Sequence, residues 1–347
     1  ITNGRHPARS RKDFTLKYTT LGSTDLRVST AGLGCGGASK LGMAKGGSVP
    51  EAVALVRHCL DMGVNFVDTA AAYGTEPVVG EALQTYHRSD IVIATKLPGR
   101  HNRPGHPVSD IVADVDRSLA NLRTDHIDLV QLHGLLPADY DHAVGNVLPA
   151  LQRLRDAGKI RHIGVTESTK RDLETQTLCR AVDGDGFDTG MLAISILNQQ
   201  GARRVLPRAR QANKGIIAMM AVRRVLANED LLMGEISRLV ALGQLPETLS
   251  QTTELRRVLL DQTDCGSYSE TAYRYVASLP GVSTVLFGTA DKGHATHNVE
   301  CILKPPLSPE ALHTIESLFG HLSGVGLDAR PPRPWWRKLL RMPDKHL

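Results

Sequence analysis

Three short apolar runs in the first half of the chain each end on a single ionisable side chain: Val64–Asp68 (VNFVD), Ile91–Lys96 (IVIATK) and Ile127–His133 (IDLVQLH). β-Branched residues dominate them and turn or polar residues follow, so each reads as a buried strand. Helical spacing fills the intervals between them. A strand–helix–strand order implies parallel strands, whose carboxyl ends lie on one edge of the sheet. Asp68, Lys96 and His133 are therefore expected to gather at that edge. Tyr73 joins them from the loop leaving the first run, in AAAYG.

The alternation continues along the chain. Ala31–Gly37 opens it, and 64–69, 91–96, 127–133, 160–166, 190–197, 215–220 and 282–288 follow as strands. Helices are expected near 50–62, 76–86, 109–122, 143–157, 169–182 and 203–213. Eight parallel strands suffice to close a (β/α)8 TIM barrel, whose carboxyl-end mouth is where such barrels keep their chemistry. LKYTTLGSTDLRVS, ahead of the first barrel strand, reads as an N-terminal β-hairpin around Gly22–Asp25. The interval 222–280 is too long for one crossover helix and is expected to hold an inserted helical pair. Extra C-terminal helices follow near 291–303 and 309–322. The expected organisation is a loose N-terminus over 1–15, one barrel over 16–327, and a Pro-rich basic tail over 328–347.

Composition narrows the class. Of 347 residues 41% are hydrophobic but only 4% aromatic, so the core must be aliphatic. A net charge of +5 suits an anionic cofactor or substrate. No basic stretch is interleaved with aromatics, which argues against a nucleic-acid partner. Five scattered cysteines without a CxxC pair fit reduced thiols in a cytoplasmic location. No apolar run approaches the roughly 18 residues of a membrane span.

The four side chains make a chemical set. A lysine ending an apolar strand loses solvation and favours its neutral form unless a carboxylate is near, and Asp68 is the candidate partner. An ammonium beside a phenol is expected to lower the tyrosine pKa and make Tyr73 the better proton donor. An imidazole at the next strand end can orient a carbonyl oxygen. Together they protonate an oxygen as hydride reaches carbon, or run the reverse; the hydride must come from a nicotinamide cofactor.

At this point the chain resembles the aldo-keto reductases. The resemblance spans about Leu21 to Leu303 and is carried by GVNFVDTAAAYG (63–74), ATK (94–96), SLANLRTDHIDLVQLHG (118–134), KIRHIGVT (159–166) and GVSTVLFGTADKGHATHNVE (281–300). It implies Tyr73 as general acid, Lys96 tuning it, Asp68 paired with Lys96, and His133 positioning the carbonyl. It also implies a barrel that binds NADP(H), less often NAD(H), with no Rossmann domain. Gly288, Thr289 and Asn298 match the loop and helix start that hold the adenosine phosphate and adenine, and a helix N-terminus suits a phosphate.

Other cofactor positions depart from the pattern. His294 stands where many members place Arg or Gln, and Asp291 adds a negative charge that Lys292 offsets. This leaves NADP(H) modestly ahead of NAD(H). The usual Ser-Asn after the fifth barrel strand is Thr166-Glu167, and the usual sixth-strand Gln falls on Ile194 or Ser195. Asn198 matches an Asn often found just beyond. Ala221-Val222-Arg223-Arg224 replaces the Ser-Pro-Leu pyrophosphate loop, with Arg223 or Arg224 as candidate pyrophosphate contacts or simply solvated charges.

Competing readings are weaker. Gly32–Gly37 fits GxGxxG, but ASKLGMAKGG after it is poor helix, so a Rossmann fingerprint is not supported. It reads instead as a mouth loop that brings Gly36 near the cofactor. His294 and His297 have no third metal ligand, and His101, His106 and His126 read as surface residues. A metal hydrolase on this fold needs an H-x-H that the first strand lacks. Trp335-Trp336 either line the substrate mouth or pack the tail on the barrel. The expected partner is a small carbonyl or alcohol, with no membrane and a monomer or small homo-oligomer. A nicotinamide-binding, redox-sensing subunit with little turnover is the alternative function.

Overall fold

A computed structural model describes residues 16–327. The N-terminal stretch 1–15 and the tail 328–347, with Trp335-Trp336, lie outside the described residues. Two strands, β1 (Tyr18–Thr20) and β2 (Arg27–Ser29), pair antiparallel as a hairpin. Eight further strands close a parallel barrel: β3 (Ala31–Gly34), β4 (Phe66–Asp68), β5 (Val92–Leu97), β6 (Ile127–Leu132), β7 (Ile160–Thr166), β8 (Thr189–Ala193), β9 (Gly215–Met219) and β10 (Val282–Phe287). β10 pairs with both β9 and β3, which seals the ring.

Every residue of β5, β6 and β8 is buried. That follows from parallel strands with helices on one face and the barrel interior on the other, and explains why the runs read as continuously apolar. The hairpin plugs the amino end of the barrel. Leu21, Leu26 and Val28 pack there against Phe66, Val92, Leu129, Met191 and Ile217, a cluster separate from the main core between strands and helices. Gly22, at φ +60°, presses this turn onto the start of β9, where a Cβ would overlap the backbone of Lys214 and Gly215.

Local signals set the helix ends. Val49–Asp61 begins with a capping box between Ser48 and Glu51 and stops before Gly63 at φ +92°. The interval 222–280 holds helices Glu229–Ala241 and Tyr268–Ser278 with shorter turns between them. Tyr268–Ser278 packs on β10 and on the following helix, Lys292–Leu303, so it is the crossover helix of the eighth strand. Pro309–Phe319 is the last described helix.

Several boundaries differ from the sequence reading. The helix expected from 169 begins only at Gln176, because the Asp172 carboxylate accepts hydrogen bonds from the Gln176 and Thr177 amides and fixes a loop ahead of it. The strand expected over 190–197 ends at Ala193, and Ser195 and Asn198 close a tight bend. Leu148–Asp156 is preceded by a widened π-turn over Ala143–Val147; Pro149 has no N–H for the normal ladder.

At the amino end, His162 on β7 sits between Asp25 of the hairpin, at 2.8 Å, and Asp188 before β8, at 3.6 Å. Arg161 also meets Asp25, and Arg155 lies 3.9 Å from Asp188. Burial opposes charge on the imidazole, but the two aspartates outweigh it and raise its pKa. The raised pKa stabilises the fold fully below the unfolded value of about 6.5, and the benefit is lost as pH rises through the folded value. His162→Gln is therefore expected to lower the melting temperature at pH 5.5 by more than at pH 9. Equal losses at both pH values would contradict the pairing.

Candidate active site

The barrel mouth collects the four side chains. Asp68 is the last residue of β4, Lys96 lies one before the end of β5, and His133 follows β6 directly. Tyr73 ends a 3-10 turn, Ala71–Tyr73, in the loop after β4. That loop is tied down by polar contacts. The Thr69 and Thr75 hydroxyls lie 2.8 Å apart, and buried Glu76 accepts from Thr95 Oγ1 at 2.7 Å and from Asn121 Nδ2 at 3.0 Å.

Lys96 Nζ donates to Asp68 Oδ1 and Oδ2 at 2.7 and 2.6 Å and to the Thr69 carbonyl at 2.9 Å. Both side chains are almost wholly buried. Burial opposes the ammonium, yet Asp68 and Tyr73 outweigh it and raise the Lys96 pKa, so the lysine stays charged. Its Nζ is 5.1 Å from the centre of the Tyr73 ring. The Tyr73 and His133 rings meet edge to face, centroids 5.6 Å apart and planes at 85°.

Two electrostatic features refine the sequence expectation. Burial raises the Tyr73 pKa by more than the Lys96 charge lowers it, so the net shift is upward, not downward as expected. Asp68, paired with the same ammonium, adds a smaller upward push. His133 is pushed down to about 4 by burial and by the Lys96 charge. Its imidazole is neutral at neutral pH and offers a hydrogen bond rather than a cation.

The residues expected around a cofactor are placed as follows. Gly36 backs onto the phenol, where a Cβ would overlap the Tyr73 ring. Thr289 is buried after β10, and Gly288 is exposed beside it. A Cβ on Gly288 would lie 3.4 Å from the Gly34 carbonyl, so the ends of β10 and β3 leave an edge free of side chains. Lys292 and His294 are exposed on the first turn of Lys292–Leu303, and Asn298 is half-buried further along. Asp291 caps this helix by accepting from the His294 amide at 2.8 Å. Arg223 is half-buried and Arg224 exposed after β9.

At the other side of the mouth the polar groups are partly spent internally. Glu167 Oε1 accepts from the Ala193 amide at 2.7 Å. Asn198 Nδ2 donates to the Ala193 carbonyl at 3.0 Å, and its Oδ1 accepts from the Gly324 amide at 2.8 Å. Asn198 thus ties the C-terminal segment to the end of β8. Thr166 Oγ1 accepts from the Gly134 amide at 2.8 Å. The bare edge between β3 and β10, with a helix N-terminus and Lys292 beside it, fits the phosphate end of a dinucleotide. The carboxamide end has fewer uncommitted groups.

Glu167 carries a signal that the sequence did not give. Burial pushes its pKa up to about 8, partly opposed by the Ala193 amide and assisted by Asp172. A buried acid raised this way binds more protons folded than unfolded, so it costs stability as pH climbs from about 4.5 to about 8. Glu167→Gln keeps the acceptor and removes the ionisation. Its stability relative to wild type is expected to rise by about 1 kcal/mol per pH unit across that window. A pH-independent difference in denaturant midpoints would contradict this.

His101 also departs from expectation. It is buried rather than exposed, with Nε2 2.6 Å from Asp114 of the helix Val108–Leu122. Among the described residues no cluster of three potential metal ligands forms, and no helix is long and apolar enough to cross a membrane.

The family model described as the aldo/keto reductase family matches residues 33–319. The chain belongs to that family. L-galactose dehydrogenase of Arabidopsis thaliana is 28% identical over 298 residues, 71% of this chain and 91% of that one. D-threo-aldose 1-dehydrogenase of a Pseudomonas species is 30% identical over 232 residues, 57% of this chain and 69% of that one. Among solved structures, the aldo-keto reductase AKR11C1 of Bacillus halodurans in its holo form superposes with a TM-score of 0.64 at 25% identity. That match covers 87% of this chain and 96% of the other. The aldo-keto reductase barrel, with its N-terminal hairpin, is the fold seen here, and membership makes the protein an oxidoreductase that works with a nicotinamide cofactor.

Proposed function

We propose that this aldo-keto reductase reversibly reduces an aldehyde or ketone to an alcohol, with NADP(H) favoured over NAD(H). The observation that carries the reading is the convergence of a charged, buried Lys96–Asp68 pair on one side of the Tyr73 ring and a neutral His133 on another. Bound at the mouth, the cofactor supplies or accepts hydride. Gly288, Thr289, Lys292, His294 and Asn298 would hold its adenosine-phosphate end, and Thr166 and Glu167 lie on the side left for the carboxamide.

The chain's own groups then handle the proton. In reduction the Tyr73 hydroxyl gives its proton to the substrate oxygen as carbon accepts hydride, and in oxidation the phenolate takes that proton back. Lys96 stabilises the phenolate by charge, and Asp68 fixes the lysine. The neutral His133 ring orients the substrate oxygen by a hydrogen bond. Because burial raises the Tyr73 pKa, reduction is expected to hold across neutral pH and oxidation to gain at alkaline pH.

The two aldose and sugar dehydrogenases among the relatives make polyhydroxy substrates the first class to try. The test is oxidation of an aldose panel with NADP+ and NAD+, beside reduction of simple aldehydes and ketones with NADPH and NADH. Turnover of any carbonyl or alcohol, with a lower KM for the phosphorylated cofactor, supports the reading. Preference for NAD(H) would make the Asp291 cap and His294 the deciding residues. Tight cofactor retention with negligible turnover across the panel would overturn the enzyme reading in favour of a redox-sensing role.

A further inference from the structure

The peptide bond following His133 is gripped at both of its polar atoms. Its carbonyl, on His133, accepts from Asn102 Nδ2 at 2.9 Å, and its N–H, on Gly134, donates to Thr166 Oγ1 at 2.8 Å. The grips come from different directions: Asn102 from the loop leaving the strand that bears Lys96, and Thr166 from the end of β7. Gly134 turns sharply here, at φ +64°, so the chain leaves the strand immediately after the imidazole. Free rotation of this peptide would swing the His133 ring relative to Tyr73.

Asn102 is built for this contact. It is 3% exposed at the end of the 3-10 turn Gly99–Asn102, and its Oδ1 is buried with no hydrogen-bond partner among the described residues. An apolar residue of similar shape would spare the unpaired oxygen but would leave the His133 carbonyl without this donor. What the amide does achieve is a donor aimed at one backbone carbonyl. The loop is itself anchored next to Asn102: His101 and Arg100 both meet Asp114 on the helix Val108–Leu122.

We propose that Asn102 is a positioning residue that, together with Thr166, clamps the His133–Gly134 peptide and so fixes the imidazole for catalysis. This rests on the proposed role of His133 as the group that orients the substrate oxygen. Asn102 touches neither substrate nor cofactor in the account; it acts through His133 alone.

The test is a double-mutant cycle on the full chain with Asn102→Leu and His133→Ala. Leu is close in size to Asn and removes the unpaired oxygen, but it leaves the His133 carbonyl without this donor, so a lowered melting temperature is expected beside the kinetic effect. The kcat for carbonyl reduction is expected to fall about tenfold to a hundredfold, with cofactor Kd unchanged. In the His133→Ala background Asn102→Leu is expected to have no further effect. Histidine-selective NMR provides a readout without turnover: the His133 ring signals should shift or broaden in Asn102→Leu, while those of exposed His313, on the helix Pro309–Phe319, stay in place.

Wild-type kcat with unmoved His133 signals would overturn the clamp, as would a full extra loss in the His133→Ala background. If His133→Ala itself reduces carbonyls like wild type, the role of His133 fails instead, and the NMR result still decides whether Asn102 holds the ring. Should Asn102→Leu not fold, Thr166→Val against Thr166→Ser reads the other grip. Ser keeps the acceptor and should preserve the His133 signals, whereas Val should move them; identical spectra would refute the clamp.

Discussion

Tyr73→Phe is expected to cut kcat for carbonyl reduction by about 10³-fold while leaving cofactor affinity within about twofold, since positioned proton transfer contributes typically 10²–10⁴. The phenol is the one proton donor of the set that pairs with a buried cation and an edge-on imidazole. Removing its hydroxyl leaves the ring in place against Gly36 and His133, so the fold and the mouth should be undisturbed. Stopped-flow kinetics with nicotinamide fluorescence separates the two effects. A variant that reduces carbonyls at near wild-type rate would remove Tyr73 from the mechanism.

The second large effect concerns stability. Lys96 and Asp68 are 1% and 5% exposed at their side chains and bonded through both carboxylate oxygens. Lys96→Met leaves the carboxylate buried with Gln131 Nε2, at 3.2 Å, as its remaining donor among the described residues. Breaking a buried pair by removing one partner costs about 3–5 kcal/mol, whereas replacing both by apolar residues is often neutral. Lys96→Met should therefore lower the unfolding free energy by about that amount. The double variant Asp68→Leu/Lys96→Met should recover most of it and stay inactive. Denaturant titration of the three proteins checks the order, and a single variant as stable as the double would contradict the buried pair. Recovery in the double variant would mean that stability alone does not demand the pair.

Why the mouth could be read from sequence is clear at Asp68, Lys96 and His133. Each ends a run whose burial on both faces forces apolar residues, so an ionisable group there breaks the pattern visibly. The eight-strand alternation gave the barrel for the same reason, and the hairpin followed from alternation about Gly22–Asp25. What stayed hidden depends on contacts between distant segments. His101 looks like a loop histidine until Asp114 from a separate helix meets it. Asn102 has no sequence mark, because its partner is a backbone carbonyl 31 residues away. Asn198 matches a familiar position, yet its amide is bonded to Ala193 and Gly324, a segment 126 residues on. The direction of the Tyr73 shift was missed because burial, which pairwise reasoning about Lys96 leaves out, is the larger influence.

The most direct test of the account is isotopic. Incubation of the protein with NADPH deuterated at the transferable C4 position and an aldehyde or ketone from the panel that it reduces should place deuterium on the carbinol carbon of the product. The alcohol proton should come from solvent by way of Tyr73. One deuterium per turnover at that carbon, seen by NMR or mass spectrometry, is the predicted result. An alcohol formed without deuterium at carbon would contradict direct hydride transfer and, with it, the role assigned to this barrel mouth.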